Sequence, residues 1–269
     1  MAALPMVEPS AQTRITTRDR DHRRAERVMG TVISLYLPEG GADGVDADAA
    51  FAWFGEVDRR YCPYMPESEV SRFMRGELTQ AEVTADLAEV LEIADAAQLL
   101  SGGAFDIRGH REDGAPDPTG VVKGWSVDRA GEILAAAGHE RFFIAAGGDV
   151  LVRGGEAPGV PWRIGVAHPL ERDAVALTLA ATDLAVATSG TTERGHHIRD
   201  GRTGDIADEL LTVTVAGPNL ARADAYATAA FVMGVDGLRW VEALPGYTAA
   251  GITHDARLIS TRGLSRYRA

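Results

Sequence analysis

Phe142-Phe-Ile-Ala-Ala-Gly-Gly-Asp-Val-Leu-Val-Arg153 is the stretch from which the architecture is predicted. Residues 142–146 and 150–153 are rich in aromatic and β-branched side chains, which is typical of strands. Gly147-Gly148-Asp149 separates them, and a Gly-Gly pair between two such runs predicts a tight hairpin turn. The glycines match neither a P-loop nor a dinucleotide fingerprint. The stretch therefore predicts two neighbouring antiparallel strands joined by a tight turn.

Further β-type runs extend in both directions from this hairpin, and amphipathic helices are grouped between them. This order favours an α+β architecture over a regular βαβ repeat. The predicted strands are residues 31–37, 162–166, 175–179, 184–187, 211–215, 247–252 and 257–261. The predicted helices are residues 45–61, 84–100, 126–137, 221–233 and 238–244.

Two segments lack these patterns. Residues 1–25 are polar and rich in Arg, Asp and Thr, which predicts a poorly ordered N-terminal arm ahead of a single domain over residues 26–269. Residues 107–120 are too rich in Gly, Pro and charge for regular structure, so a loop is predicted there.

Composition excludes several classes of function. The 269 residues carry a net charge of −12, whereas nucleic-acid binding depends on dense Lys and Arg surfaces. No segment approaches the length of apolar sequence that a membrane span requires. Cys62 is the only cysteine, which excludes an internal disulfide and predicts a cytoplasmic location. An acidic protein that binds an anionic nucleotide needs local positive charge, and a metal ion supplies it.

Asp224 and Thr228 lie four residues apart on a predicted helix, so both side chains share one face. A carboxylate and a hydroxyl suit Mg²⁺, which commonly takes one or two protein ligands and completes its shell with water and phosphate. The alternative is a solvent-exposed Asp near a helix N-terminus, with Thr228 as a neutral neighbour.

Two other segments carry candidate polar groups. Asp117-Pro-Thr-Gly120-Val-Val-Lys123 runs from a loop into a helix, where Lys123 could face a phosphate or a flavin and the Gly120 backbone could approach a metal. A solvated lysine at a helix entry is the alternative. Of the adjacent His196 and His197, one could act as a general base, and both could equally lie in a solvated loop.

In order along residues 29–234, the chain closely resembles the ApbE family, the FAD:protein FMN transferases. Eight short blocks carry the resemblance: Met29-Gly-Thr31, Tyr61-Cys-Pro-Tyr64-Met-Pro-Glu-Ser68-Glu-Val-Ser71-Arg72, Gly102-Gly-Ala-Phe-Asp106, Lys123-Gly-Trp-Ser-Val-Asp128, Gly147-Gly-Asp149, Ala187-Thr-Ser-Gly190, His197-Ile198 with Thr203-Gly204, and Ala223-Asp-Ala-Tyr-Ala-Thr228.

The resemblance implies a fold related to the T-fold, with a mixed sheet, packed helices and two interleaved lobes. It also implies roles for particular residues. Asp224, Thr228 and the backbone carbonyl of Gly120 fall at the family's metal site, and His197 falls at its active-site histidine. The implied FAD contacts are Met29, Tyr64, Ala104, Phe105, Asp106, Asp117, Lys123 and Ile198.

The implied reaction is Mg²⁺-dependent, with Mn²⁺ as a possible substitute, and uses FAD as substrate. A threonine or serine hydroxyl of an acceptor flavoprotein attacks the FMN-side phosphorus, and AMP leaves. His197 or Asp106 is the candidate base for the hydroxyl proton. Two alternatives are an FAD-binding protein with little turnover and an Mg²⁺-dependent FAD pyrophosphatase that releases FMN and AMP.

Three departures from the family pattern bear on these alternatives. The loop between Asp106 and Asp117 is shorter than in most relatives, which predicts an altered adenosine site. Gly201 replaces a rigid proline, which predicts a looser loop. Phe73-Met74-Arg75 occupies the region in which the family usually has an asparagine.

Overall fold

The computed structural model describes residues 21–38, 44–108, 114–171, 173–191 and 198–269. Ten strands and six α-helices lie within these ranges. The strands are β1 His22–Val28, β2 Thr31–Leu37, β3 Phe142–Ala146, β4 Asp149–Arg153, β5 Trp162–Ala167, β6 Val175–Ala181, β7 Leu184–Gly190, β8 Thr212–Gly217, β9 Thr248–Ile252 and β10 Leu258–Ser260. The helices are α1 Val45–Tyr61, α2 Glu69–Met74, α3 Ala85–Leu100, α4 Thr119–Ala136, α5 Leu220–Met233 and α6 Val235–Glu242, and a 3₁₀ helix follows at Arg262–Tyr267.

Eight strands form one sheet in the order β1-β2-β3-β4-β7-β8-β9-β10, and each strand pairs antiparallel with its neighbours. β5 and β6 form a separate antiparallel hairpin. The break in sequential order occurs at β4, which pairs with β7 because β5 and β6 leave the sheet. The predicted hairpin at Gly147-Gly148 is confirmed as the β3–β4 connection.

Alternating side chains of the sheet supply two apolar cores on opposite faces, as expected for a pleated strand. In β4, Leu151 belongs to a core shared with the helices, while Val150 and Val152 belong to one shared with β5 and β6. The first core contains Trp125, which is 2% exposed, and the second contains Trp162, which is fully buried. The helices therefore cover one face of the sheet, and the β5–β6 hairpin covers the other.

The predicted α+β architecture is confirmed, and so are the helices at residues 45–61 and 84–100. Thr84 caps the second of these, because its side chain accepts a hydrogen bond from Leu87 N. Among the described residues, no helix is both long enough and apolar enough to cross a membrane. The expected mixed sheet is wrong, because every strand pair of the eight-stranded sheet is antiparallel. The T-fold relationship, the two interleaved lobes and the single-domain boundary stay predictions.

The predicted end of the N-terminal arm, at residue 25, is too late. β1 precedes the expected first strand and includes residues 22–25, which were assigned to a poorly ordered arm. The side chains of β1 are mostly exposed, so its sequence shows no alternation of apolar and polar residues. Backbone pairing with β2 along its full length holds β1 at the edge of the sheet. Residues 1–20 of the predicted arm lie outside the described residues.

The start of the third helix was also predicted too late. α4 begins at Thr119, not at residue 126, so the predicted loop ends two residues earlier and Lys123 lies within the helix. Gly120 and Gly124 have low helix propensity, which hid the first two turns. Asp117 stabilises this start, because its Oδ1 accepts from Thr119 N at 3.0 Å and from Thr119 Oγ1 at 2.6 Å.

Candidate active site

Helices α4 and α5 cross at very close range on the helical face of the sheet. A Cβ atom added at Gly124 would lie 2.7 Å from the Cα atom of Ala221, so glycine is required at this contact. Asp128, one turn further along α4, accepts hydrogen bonds from Leu220 N and Ala221 N, both at 2.9 Å. The middle of α4, from Gly124 to Asp128, therefore meets the first turn of α5.

Asp128 caps a helix other than its own. Leu220 N and Ala221 N are first-turn donors of α5, which have no partner within that helix. Burial raises the pKa of Asp128 to about 6, although the two backbone N–H groups oppose this by favouring the charged form. The two backbone N–H groups thus favour the charged form of the partly buried Asp128 at the contact between the helices.

Lys123 forms a buried ionic contact with two carboxylates from different parts of the fold. Its Nζ donates to Asp149 Oδ2 from β4 and lies 3.4 Å from Asp224 Oδ2 on α5. Burial alone would lower the pKa of Lys123, but the carboxylates outweigh it and hold that pKa above its ordinary value. Lys123 therefore presents a fixed positive charge, and the alternative of a freely solvated lysine is wrong.

Asp149 is a site residue that the sequence did not predict. It is 1% exposed, and its Oδ1 accepts from Thr188 N of β7 at 3.2 Å while its Oδ2 accepts from Lys123. The Gly147-Gly148-Asp149 motif predicts a tight turn and is one of the eight blocks of the resemblance, but no contact was predicted for the Asp149 side chain. The available signal was an acidic residue directly ahead of three apolar strand residues, Val150-Leu-Val152.

Asp224 and Thr228 lie on the side of α5 that faces the sheet and α4. Asp224 is 8% exposed, so the alternative of a solvent-exposed residue is wrong. Thr228 Oγ1 lies 3.0 Å from Ser189 Oγ of β7, within hydrogen-bonding distance. The structure thus places Asp224 beside Lys123 of α4 and Thr228 beside Ser189 of β7.

Gly120 lies in the first turn of α4 and is exposed at its Cα. The contacts between the helices run antiparallel: Asp128 meets Leu220, and Lys123 meets Asp224 further along α5. The role of the Gly120 carbonyl as a metal ligand stays a prediction. A helical carbonyl keeps a second lone pair after its backbone hydrogen bond, which a cation could use.

The donors at this crossing fit a hard divalent cation better than a soft one. Asp224 offers a carboxylate, Thr228 a hydroxyl and Gly120 a carbonyl, and oxygen donors of this kind suit Mg²⁺ or Mn²⁺. In the part of the chain that the structure describes, no cluster of three or more His, Cys, Asp or Glu could hold a metal. Three protein donors would leave the other coordination positions of a cation to water or substrate phosphate.

Met29 occupies a strained turn beside α4. It has a φ of 55° and precedes Gly30, with a φ of 70°, in the two-residue loop that joins β1 to β2. A left-handed conformation is costly for a residue with a side chain and marks functional sites. Met29 Sδ lies 3.6 Å from Ser126 Oγ, so the turn is close to the Lys123 end of α4.

The Ala104-Phe105-Asp106 block contacts the loop that follows Ile198. Gly201 N donates to Ala104 O at 3.3 Å, and a Cβ at Gly201 would lie 2.6 Å from Asp106 Cβ. Gly201 therefore permits a close approach between two predicted FAD-contact segments. Within this loop Asp200 accepts several hydrogen bonds from Arg202, and the looser loop stays a prediction.

The remaining predicted site residues have different positions. Asp117 is used at the start of α4, as described above, while Tyr64 is 91% exposed and lies against no part of the Lys123 cluster. Asp106 Oδ1 accepts from Arg108 N at 2.8 Å. His197 and His196 lie outside the described residues, so the role of His197 stays a prediction.

Two surface clefts border the helices. One of about 410 Å³ lies among α1, α2 and α3, and its Arg60 is already paired with Asp86 at 2.9 Å, so we assign it no ligand. The other, of about 310 Å³, is lined by Met74, Arg108 and Pro116 among others. It adjoins the segment between Asp106 and Asp117, where contacts with FAD are predicted.

The hydroxyl pair Ser189–Thr228 is expected to be energetically coupled. Ser189→Ala should lower the free energy of unfolding by about 1 kcal/mol, because it removes a hydrogen bond from a buried site. Thr228→Val should have a similar effect, and the double variant should lose about 0.5–1 kcal/mol less than the sum. Urea unfolding of the three variants measures this coupling, and strict additivity would show that the hydroxyls do not interact.

Comparison with known proteins identifies related sequences along most of the chain. The model of the ApbE family matches residues 29–111 and 110–251. The FAD:protein FMN transferase of Vibrio cholerae is 34% identical over 128 residues, which cover 44% of this chain and 38% of that protein. The FAD:protein FMN transferase of Haemophilus influenzae is 24% identical over 277 residues, which cover 78% and 80%.

A solved structure shows the same fold. The crystal structure of the ApbE protein from Thermotoga maritima superposes with a TM-score of 0.83, covering 93% of this chain and 99% of that one. The two sequences are 22% identical, so the likeness concerns the fold.

Proposed function

This chain belongs to the ApbE family, and we propose that it transfers FMN from FAD to a hydroxyl side chain of an acceptor protein. Two relatives named FAD:protein FMN transferase support the reaction class, and one of them aligns over 80% of its length. We further propose that the acceptor group is a threonine or serine, that AMP is released, and that Mg²⁺ is required.

The crossing of α4 and α5 carries this proposal. It combines oxygen donors from Asp224 and Thr228 with the ion-paired ammonium of Lys123. A pyrophosphate substrate brings several negative oxygens, which need both a metal ion and a fixed cation close by. Such a combination has little use in a site for an uncharged ligand.

Asp224, Thr228 and the Gly120 carbonyl would hold the cation. When bound, Mg²⁺ supplies charge neutralisation at the phosphate oxygens of FAD, or Mn²⁺ does so in its place. Only three protein donors are proposed, which agrees with the preference of Mg²⁺ for sites in which substrate phosphate completes the coordination.

Lys123 contributes an oriented positive charge. Asp149, itself held by Thr188 N, keeps the ammonium at one end of the site, where it can bind an FAD phosphate oxygen. This ion pair is assembled before substrate arrives, so little reorganisation is needed when charge develops in the reaction. Asp149 thus acts by positioning Lys123.

The chemical step exchanges a phosphoanhydride bond for a phosphoester bond. The acceptor hydroxyl oxygen forms a bond to the FMN-side phosphorus, and the bond from that phosphorus to the bridging oxygen breaks, which releases AMP. The hydroxyl proton passes to a base. Asp106 and His197 are both candidates, and Asp106 lies next to the loop that follows Ile198.

The flavin and adenosine parts of FAD need less polar surroundings. Ala104, Phe105 and Ile198 are buried and border this region, and Met29 contacts Ser126 at the edge of α4. The exposed Tyr64 would become covered if it stacks on the bound flavin. We propose a cytoplasmic location, because a chain with a single cysteine has no internal disulfide.

The test is an incubation of the protein with FAD, Mg²⁺ and a threonine-bearing acceptor domain. We expect the acceptor mass to increase by one FMN and AMP to appear in equal amount. A matched acceptor with that threonine replaced by valine should stay unmodified. Free FMN and AMP with no acceptor modification would indicate a pyrophosphatase, and uncleaved bound FAD would indicate a binding protein; either result would contradict the transferase.

A further inference from the structure

The proposed cation donors come from two separate helices, so their spacing depends on how α4 and α5 are aligned. Gly120 belongs to α4, whereas Asp224 and Thr228 belong to α5. Each residue advances a helix by about 1.5 Å, so a slide of a single residue would move a donor out of the bonding range of Mg²⁺.

Apolar packing brings these helices together but does not fix their alignment closely. Gly124 and Ala221 present small, smooth surfaces at the contact. Contacts of this kind are non-directional, so they oppose separation more strongly than sliding or rotation. The ion pair of Lys123 with Asp224 is one directional interaction between the helices, and a second one at the start of α5 would fix the register.

Asp128 supplies that directional interaction. Both of its carboxylate oxygens are used, one on Leu220 N and the other on Ala221 N. Two hydrogen bonds from consecutive backbone amides to one carboxylate fix both the axial position and the rotation of the helix end. Asp224 lies one helical turn beyond Leu220, so its position follows directly from this attachment.

We propose that Asp128 is a positioning residue for the cation site, because it fixes the register of α5 against α4. The inference rests on the proposed function for the identity of the cation and the substrate. Asp128 itself contacts neither the proposed cation donors nor Lys123 in the described contacts. It acts on the site through the backbone of α5.

The chain offers a matched control at the same helix end. Asn219 is the N-cap residue of α5, and its Oδ1 accepts from Arg222 N at 2.9 Å. Asn219→Ala therefore weakens the same helix terminus without breaking any connection to α4. Asp128→Ala removes two first-turn partners of α5 and with them one of the polar connections between the helices. A purely structural role predicts similar results for both variants.

The test compares wild-type protein, Asp128→Ala, Asp128→Asn and Asn219→Ala. Two quantities are measured with MgCl₂ as the probe: calorimetric Mg²⁺ affinity, and the Mg²⁺ concentration for half-maximal release of AMP from FAD. We expect Asp128→Ala to weaken both by about 10–100-fold, the usual effect of removing a partner that orients metal ligands. Asp128→Asn keeps one acceptor oxygen and should recover part of the loss, while Asn219→Ala should match wild type.

The outcomes separate the inference from the proposed function. If wild-type protein transfers FMN to the acceptor with Mg²⁺ and Asp128→Ala shows the same Mg²⁺ dependence, the positioning role is wrong while the function stands. An equal shift in Asp128→Ala and Asn219→Ala would also overturn it, because helix stability would then explain the effect. Wild-type protein that neither binds Mg²⁺ nor cleaves FAD would overturn both. If Asp128→Ala does not fold, Asp128→Asn and Asn219→Ala still give the comparison.

Discussion

Asp224→Ala is expected to reduce Mg²⁺-dependent cleavage of FAD by at least about 100-fold. Removing a partner that only orients a metal ligand already costs about 10–100-fold, and Asp224 is the one carboxylate in the proposed donor set. The variant should remain folded, because Lys123 keeps its contact with Asp149. Chromatographic measurement of AMP release over a range of Mg²⁺ concentrations gives the loss.

Two controls define what that loss means. Asp224→Asn keeps the shape of the side chain but removes its charge, so it should lose most of the Mg²⁺ dependence as well. Asp236→Asn changes an exposed carboxylate on α6, 80% exposed at its side chain, and should leave the rate unchanged. Circular dichroism should show native helix content in all three variants. Full activity in a folded Asp224→Ala would contradict the metal assignment.

Gly124→Ala is expected to destabilise the protein by about 2 kcal/mol and to lower its Tm by about 4–8 °C. The added methyl would meet the backbone of Ala221 at 2.7 Å, and backbone cannot move aside as a flexible side chain can. The helices must therefore separate, which would stretch the hydrogen bonds of Asp128 and misalign Asp224. We expect FAD cleavage to fall together with stability.

Gly55→Ala is the matched control for the helix propensity of glycine. Gly55 lies in α1, and an added Cβ would meet no atom within 4 Å. Alanine is the better helix former, so this variant should be more stable by about 0.5–1 kcal/mol. Thermal unfolding of both variants separates the effects of packing and propensity. A Gly124→Ala protein at least as stable as wild type would contradict the close helix contact.

Much of the fold could be predicted because its local signals agree with its packing. The β3–β4 hairpin shows strand-forming runs on both sides of Gly147-Gly148, and α1 and α3 show apolar residues at helical spacing. The face of α5 that carries Asp224 and Thr228 follows from the same spacing. These features depend on residues close together in sequence.

Other features depend on contacts between distant segments, which local patterns do not reveal. The start of α4 was missed because Gly120 and Gly124 are poor helix formers, although the second of them is required by the contact with α5. Asp149 was interpreted as part of a turn because its partners, Thr188 and Lys123, lie 39 and 26 residues away. Only the assembled sheet and helices show its function in positioning Lys123.

Both proposals depend on a divalent cation that binds between α4 and α5. Diffraction data from crystals grown with MnCl₂, collected above the manganese absorption edge, would locate it directly. We predict an anomalous peak within bonding distance of Asp224 and Thr228, and no peak there in crystals of Asp224→Ala. A peak elsewhere in the wild-type protein, or none at saturating Mn²⁺, would contradict the cation site.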